Sequence, residues 1–222
     1  MPPKPKQGKF KIPEPKGVPF TNFQDLLKFS YSETPCEAFP KECLPRDIKH
    51  VVWDADDTIW DIHPYGIASY CTPPYDRLDE NTLKSTCLMI TTRKTDGVEL
   101  VKERAESKII LKPKLIETLD KLKGKGIGSS IASANNPGSV ERLLDSFGIK
   151  DKFTSIQSTW ESKTEQVKKI ITETGIPSNK MIFVDDSIGN AMDVQFDLGT
   201  LSLAMGYDIM SPEGVLNFIK EE

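Results

Sequence analysis

The stretch VVWDADDTIWD, residues 51–61, joins a short apolar run to a dense group of carboxylates. The run at residues 49–53 predicts a strand that is buried on both faces, as strands of parallel sheets are. Asp54, Asp56 and Asp57 follow that strand directly. Because ligands of α/β proteins gather at the carboxyl ends of the strands, this stretch predicts both the fold class and the place of the functional site.

The chain after this stretch alternates between helix and strand patterns. Helices are predicted to begin near Pro113, Ser139, Ser162, Ile188 and Ser211, and strands at residues 127–133, 153–157, 181–184 and 201–204. This order predicts an α/β fold, a Rossmann-like, doubly wound parallel sheet with helices on both faces. Residues 61–111 break the alternation with prolines and a polar turn, and they predict a small β-hairpin flap inserted after the first strand.

The charge distribution separates two regions of the chain. Residues 1–45 predict a Pro- and Lys-rich N-terminal extension, partly flexible, ahead of one domain at residues 46–222. The first 20 residues hold five lysines against Glu14, a net charge of +4, and the whole chain carries −4, so residues 21–222 carry −8. A nucleic-acid-binding domain would present a basic face, which this acidic body lacks, so we expect no nucleic-acid partner.

Apolar runs and cysteines bear on the compartment. No run approaches 18 uninterrupted apolar residues and the N-terminus lacks a hydrophobic signal core, so we expect a cytoplasmic protein without a membrane partner. The four cysteines lack C-x-x-C spacing and the chain has only two histidines, which argues against a structural zinc site. We therefore expect buried free thiols rather than disulfides.

Polar residues also end two other predicted strands. Ser133 ends the strand at 127–133, and Asp185 with Asp186 follows the strand at 181–184. Several carboxylates in one place repel one another, so one of them would be protonated unless a cation joined them. Oxygen ligands suit Mg²⁺, whereas zinc prefers His and Cys. The pattern thus predicts a magnesium site that includes Asp54 and Asp185.

Four motifs resemble those of the haloacid dehalogenase superfamily, in the same order along the chain. Residues 51–61 resemble the first motif, a strand followed by D-x-D-x-T, and SSIASANN at residues 129–136 resembles the second. Lys163 matches the lysine of the third motif, and MIFVDDSIGNAMD at residues 181–193 resembles the acidic fourth motif. The resemblance covers about residues 48–205 and implies the fold of that superfamily.

Within this superfamily the chain most resembles the magnesium-dependent phosphatase family. The shared segments are D-x-D-x-T-x-W at 54–60, PPY at 73–75, ASANN at 132–136, KTEQV at 163–167 and TGIPSNKMIFVDD at 174–186. Two positions depart from the family pattern: Asp57 stands where a non-acidic residue is usual, and Ala134 stands where an arginine usually follows the serine. Because of these two departures, the resemblance does not identify the substrate.

The resemblance implies a magnesium-dependent, acid-type phosphatase that hydrolyses phosphomonoesters through an aspartyl phosphate. Asp54 would be the nucleophile and Asp56 the general acid and base. The other implied roles are metal binding by Asp54, Asp185 and the carbonyl of Asp56; phosphate binding by Ser133, the amide of Ala134 and Lys163; support by Thr58 and Asp186; and substrate contact by Asn135, Trp60 and Tyr75.

The short flap suggests a fairly open site. Such a site would admit a sugar phosphate or phosphotyrosine on a protein, so we expect a phosphorylated small molecule or a phosphoprotein as the substrate. The sequence does not indicate the oligomeric state. The alternative is a non-catalytic phosphate- or phosphoprotein-binding module that retains the fold. The presence of Asp54, Asp56, Ser133, Lys163 and Asp185 argues against this alternative.

Overall fold

The computed structural model describes residues 34–38, 40–41, 43–64, 67–94 and 98–220, with backbone alone for 89–94 and 98–103. The first 33 residues of the predicted N-terminal extension lie outside this range. The strands are β1 (His50–Trp53), β2 (Trp60–His63), β3 (Cys71–Arg77), β4 (Thr82–Lys94), β5 (Val98–Leu111), β6 (Gly128–Ser133), β7 (Ser155–Ser158), β8 (Met181–Asp185) and β9 (Leu201–Ala204). The helices are α1 (Pro35–Ala38), α2 (Leu115–Gly124), α3 (Ser139–Phe147), α4 (Lys163–Thr174) and α5 (Ile188–Leu198), with 3₁₀ turns at Ala68–Tyr70, Lys150–Lys152, Ser178–Lys180 and Pro212–Phe218.

A five-stranded sheet in the order β7-β6-β1-β8-β9 forms the centre of the molecule. Each neighbouring pair of its strands runs parallel. All four residues of β1 and of β9, and all five of β8, are buried. The predicted α/β fold with a parallel sheet is therefore confirmed.

Successive residues of β1 face opposite sides of the sheet, because side chains alternate along a strand. Val51 and Trp53 belong to the larger core, together with the apolar residues of α2 and α3. Val52 belongs to a second core with apolar residues of α4 and α5. The helices thus cover both faces, as a doubly wound sheet requires.

Local capping fixes where the helices begin. Ser162 Oγ accepts a 3.3 Å hydrogen bond from the Glu165 amide, and α4 starts at Lys163, next to the predicted start at Ser162. Gly175 ends α4 in the left-handed conformation. The C-terminal segment Pro212–Phe218 is a 3₁₀ turn, so the α-helix predicted there is wrong.

The insert occupies the predicted range, with strands from Trp60 to Leu111, but it forms a four-stranded sheet. The long pair β4 and β5 forms its centre, and β2 and β3 pair with the outer edges to give an antiparallel sheet in the order β2-β5-β4-β3. The β3–β4 register shifts between Thr72 and Asp76, around Pro73 and Pro74. Proline cannot donate to a sheet ladder, so these prolines hid β3 from the sequence pattern.

All four cysteines form disulfides, Cys36–Cys43 and Cys71–Cys87, so the predicted free thiols are wrong. Cys71 lies directly opposite Cys87 in the β3–β4 register, with Cα atoms 4.0 Å apart. Strand register decides this pairing, and the spacing of cysteines in the sequence does not reveal it. Disulfides are typical of oxidising compartments, so the cysteines give no support to the predicted cytoplasmic location.

None of the helices within the described ranges is long and apolar enough to cross a bilayer.

Candidate active site

The three central strands end in the polar residues that the sequence singled out. Trp53 of β1 is in register with Ile131 of β6 and Val184 of β8. The next residue, Asp54, donates its amide to Val184 O at 2.8 Å. Asp54, Ser133 and Asp185 therefore lie at one edge of the sheet, as predicted from the parallel order.

Lys163 lies between two buried carboxylates. Its Nζ donates to Asp54 Oδ1, donates to Ala132 O at 2.7 Å, and lies 3.4 Å from Asp185 Oδ2. Burial lowers the pKa of Lys163, but the charges of Asp54 and Asp185 outweigh burial and raise this pKa above its ordinary value. The ammonium group is thus a fixed positive charge beside the predicted nucleophile.

Asp54, Asp185 and Asp186 form a group whose ligand oxygens lie within 4.8 Å of one another. Burial first, and then the charge of Asp54, raise the pKa of Asp185 to about 7 and that of Asp186 to about 6. The Ser187 amide and Asn190 Nδ2 donate to Asp185 Oδ1 at 2.8 and 3.1 Å. Three carboxylates facing one lysine leave negative charge that a hard divalent cation would neutralise, and their oxygens are the donors that such cations prefer.

Asp56 has different neighbours from Asp54, although only one residue separates them. Its Oδ1 accepts from Trp60 Nε1 at 2.8 Å and from the Ala68 amide at 3.0 Å, and its Oδ2 accepts from Asn135 Nδ2 at 2.8 Å. Burial raises the pKa of Asp56 to about 6, and the three donors oppose this rise. A carboxyl group with such a pKa can both donate and accept a proton near neutral pH.

Asn135 connects Asp56 to two other elements. Its Nδ2 also donates to Ser133 Oγ at 2.9 Å, and its Oδ1 accepts from the amide and hydroxyl of Ser69 at 2.8 and 2.6 Å. Asn135 is 1% exposed. The sequence had suggested Asn135 as a substrate contact, but it did not indicate Ser69 or Ala68, which lie in the insert and follow no motif.

Two other predicted residues belong to the turn after β1. Thr58 is buried and its amide donates to Ala55 O at 3.3 Å, which fits a supporting role in this turn. Asp57 adopts the left-handed conformation, with φ of 58°, which Asp tolerates better than most residues. Desolvation and the nearby Asp61 carboxylate raise the pKa of Asp57. The departure at Asp57 therefore adds a carboxyl group beside the site.

Trp60 and Tyr75, two suggested substrate contacts, make other interactions. Trp60 is fully buried and stacks on Phe147 with ring centroids 6.4 Å apart. Its indole N–H donates to the Asp56 carboxyl group. The Tyr75 hydroxyl donates to Cys71 O at 3.0 Å within β3. Ala134, by contrast, is exposed next to Ser133.

The family model described as acid phosphatase matches residues 47–207, which include every motif residue of this site. The chain belongs to the acid phosphatase family. A human relative, magnesium-dependent phosphatase 1, is 26% identical to this acid phosphatase over 152 residues, which cover 68% of this chain and 74% of that protein. The predicted relationship to the magnesium-dependent phosphatases is therefore confirmed.

Solved structures show the same fold. A haloacid dehalogenase superfamily hydrolase from Ehrlichia chaffeensis aligns with a TM-score of 0.53 at 19% identity, and covers 78% of this chain and 96% of that one. A subfamily IA, variant 1 hydrolase of the same superfamily from Geobacter sulfurreducens PCA aligns with a TM-score of 0.51 at 12% identity, covering 78% and 97%. The chain thus has the predicted haloacid dehalogenase fold.

Proposed function

We propose that this acid phosphatase hydrolyses phosphomonoesters in two steps, through an aspartyl phosphate on Asp54, and that it requires Mg²⁺. One observation carries the proposal. Asp54 lies against Lys163, Asp185 and Asp186, whereas the Asp56 carboxyl group accepts hydrogen bonds from Trp60 and Asn135. Two carboxyl groups in such different surroundings suit a nucleophile and a separate proton donor.

The donor set around Asp54 fits magnesium. Asp54, Asp185 and the backbone carbonyl of Asp56 would hold the ion, and the more exposed Asp186 would orient a water molecule. Mg²⁺ supplies positive charge that draws in the phosphate and offsets charge on its oxygens. The name of the human relative, magnesium-dependent phosphatase 1, supports this choice of metal.

In the first step an Asp54 oxygen attacks phosphorus and the bond from phosphorus to the leaving oxygen breaks. Protonated Asp56 gives its proton to that oxygen, a contribution typically worth about 10² to 10⁴ in rate. Lys163 and Ser133 stabilise the phosphate oxygens as charge develops. Ser133 Oγ accepts from Asn135, so its own hydrogen is left to donate to the phosphate.

In the second step Asp56, now ionised, takes a proton from a water molecule that attacks the aspartyl phosphate. The bond between Asp54 and phosphorus breaks, inorganic phosphate leaves, and Asp56 is protonated again. The same residue thus serves as acid and then as base. A pKa of about 6 for Asp56 suits both roles.

We place sugar phosphates and protein phosphotyrosine in the substrate class. The exposed Ala134 stands next to Ser133 where the related family usually has an arginine, and Asp57 adds a carboxyl group nearby, so the substrate is expected to differ from that of relatives. A panel of phosphorylated metabolites and phosphopeptides, assayed with Mg²⁺, would identify it.

The proposal is tested by assaying an aryl phosphate with Mg²⁺ and then with EDTA. We expect hydrolysis that EDTA abolishes, and no turnover by Asp54→Asn. When the reaction with a substrate radiolabelled on its phosphoryl group is quenched in acid, the wild-type enzyme should carry the label and Asp54→Asn should not. Asp193→Asn, which removes an exposed carboxylate of α5, is the matched control and should behave as wild type.

Normal turnover by Asp54→Asn would remove the nucleophile from the proposal. Binding of phosphate without hydrolysis of any substrate in the panel would instead favour the non-catalytic binding module.

A further inference from the structure

Trp160 is a large aromatic residue that follows β7, at the edge of the sheet where Asp54 and Ser133 also lie. It lies between β7 and α4, three residues before Lys163, and its relative exposure is 59%. Single exposed hydrophobic residues are common and need no functional explanation by themselves. What sets Trp160 apart is that hydrogen bonds hold both the backbone on each side of it and its ring.

The backbone on each side of Trp160 is anchored. The Thr159 amide donates to Ser133 O at 3.1 Å. Gln166, fully buried on α4 one turn after Lys163, donates from Nε2 to Thr159 O and to Glu161 O, both at 3.0 Å. Because the neighbours before and after Trp160 are held by one buried side chain, this exposed segment has a defined position.

The indole ring is also oriented. Trp160 Nε1 donates to Asn136 Oδ1 at 2.9 Å, and the Asn136 amide donates to Ser69 Oγ at 2.6 Å. Ser139 Oγ and Ser158 Oγ both donate to Asn136 O, at 2.6 and 3.0 Å. The ring is thus held by its N–H edge, which leaves apolar ring surface for contact with a ligand.

The distance between Trp160 and Asp54 can be compared with the size of a substrate. Trp160 follows β7, which is two strands from β1 in the sheet order. Neighbouring strands are about 4.8 Å apart, so Asp54 and the end of β7 are separated by roughly 10 Å. A leaving group that extends from a phosphoryl group at Asp54 towards β7 spans a distance of this size.

We propose that Trp160 is a substrate-binding residue that selects leaving groups with a flat, apolar face. This inference rests on the proposed phosphatase function and adds a specificity determinant to it. The ring packs against the leaving group, while the phosphoryl group is held by Ser133 and Lys163. Aromatic contacts of this kind favour planar partners in offset or edge-to-face arrangements.

The test compares p-nitrophenyl phosphate with glycerol phosphate, which has no flat face, in wild type and Trp160→Ala. Loss of one aromatic contact should raise KM for the aryl ester roughly fivefold to tenfold, with kcat changed by less than about twofold. KM for glycerol phosphate should not change. Trp160→Phe keeps a flat ring and should retain most of the preference.

Tyr207→Ala is the matched control. Tyr207 is 58% exposed and follows β9, which is also two strands from β1, but its described hydrogen bond runs from its amide to Ala204 O in its own turn. We expect this variant to keep the wild-type KM for both esters.

Three results would overturn the proposal: an unchanged aryl KM in Trp160→Ala, an equal loss on both esters, or the same loss in Tyr207→Ala. These results leave the phosphatase function intact, because they require an active enzyme. Inactivity of the wild-type enzyme toward both esters, while another phosphate ester of the panel is hydrolysed with Mg²⁺, would overturn this proposal alone. Inactivity toward the whole panel would overturn this proposal and the proposed function together.

Discussion

Asn135 Nδ2 lies 2.8 Å from Asp56 Oδ2 and donates a hydrogen bond to it. The same nitrogen donates to Ser133 Oγ at 2.9 Å. One buried amide therefore fixes the distance between Asp56, the proposed general acid after β1, and Ser133, the proposed phosphate-binding residue at the end of β6. It also joins both to the insert through Ser69.

Asn135→Ala is expected to lower kcat by about 10- to 100-fold, because Asp56 and Ser133 lose their common donor and a small misplacement of catalytic groups is costly. Loss of a donor to the carboxylate also raises the pKa of Asp56, so the pH–rate limb that reports Asp56 should move to higher pH. The measurement is kcat across acidic to neutral pH. Asn136→Ala, which does not contact Asp56, should keep the wild-type pH profile, and an unmoved limb in Asn135→Ala would contradict the assignment.

Trp60→Phe tests the second side-chain donor to Asp56. The substitution removes the indole N–H and retains an aromatic ring against Phe147. The pKa of Asp56 should rise, and the pH–rate limb should move to higher pH, as in Asn135→Ala but with Ser133 undisturbed. A fall in kcat at every pH without a shift of the limb would show that Trp60 acts by packing alone.

Lys163→Met replaces the ammonium group by an apolar chain of similar length. Without this cation Asp54 and Asp185 face each other unpaired, and loss of a partner from a buried ion pair typically costs about 3 to 5 kcal/mol. We expect kcat to fall by about 10² or more, and the free energy of unfolding in EDTA to fall at neutral pH. Mg²⁺ should stabilise this variant more than the wild type. Equal stabilisation of Lys163→Met and the wild type by Mg²⁺ would show that Asp54 and Asp185 do not bind the metal ion together.

His50 should make the stability of the fold depend on pH. It is 1% exposed at the start of β1, its Nε2 lies 2.7 Å from Ser130 Oγ, and burial lowers its pKa to about 4. In the unfolded chain His50 has its ordinary pKa of 6.5, so between about pH 4 and 6.5 the unfolded chain binds a proton that the folded protein does not bind. The free energy of unfolding is therefore highest above about pH 6.5 and falls as the pH falls towards 4. The slope should approach about 1.4 kcal/mol per pH unit. Urea unfolding of wild type and His50→Gln should show this added slope in the wild type alone, and parallel curves would refute it.

The Cys71–Cys87 disulfide closes a loop with a sequence separation of 16. Cross-linking a loop of this length restricts the unfolded chain and is worth roughly 3 kcal/mol. The double variant Cys71→Ala, Cys87→Ala should lose about that much free energy of unfolding, which chemical denaturation measures. Cys36→Ala with Cys43→Ala, which opens a shorter loop, is the matched control and should lose less. Equal stability of the Cys71/Cys87 variant and the wild type would show that the bond is not formed in solution.

The parallel sheet was predictable because its signals are local. Residues 49–53 and 181–184 are short apolar runs that end in carboxylates, and β1 and β8 lie there with a residue or less of difference at either end. Ser162 and Glu165 marked the start of α4, which set the position of Lys163. The insert was predicted at the right place, but its strand β3 was not, because its prolines and register shift hide a strand that forms by pairing with β4.

The sequence by itself determined the α/β order, the carboxylates at the strand ends, the lysine and the family, since each is written in a few consecutive residues. Only the tertiary structure decided that Asn135 binds Asp56, that Ser69 reaches across from the insert, that Trp60 is buried and Trp160 is not, and that cysteines 16 residues apart pair. The physical reason is that hydrogen bonds, burial and disulfides depend on distances between segments remote in the chain, which strand register and packing set.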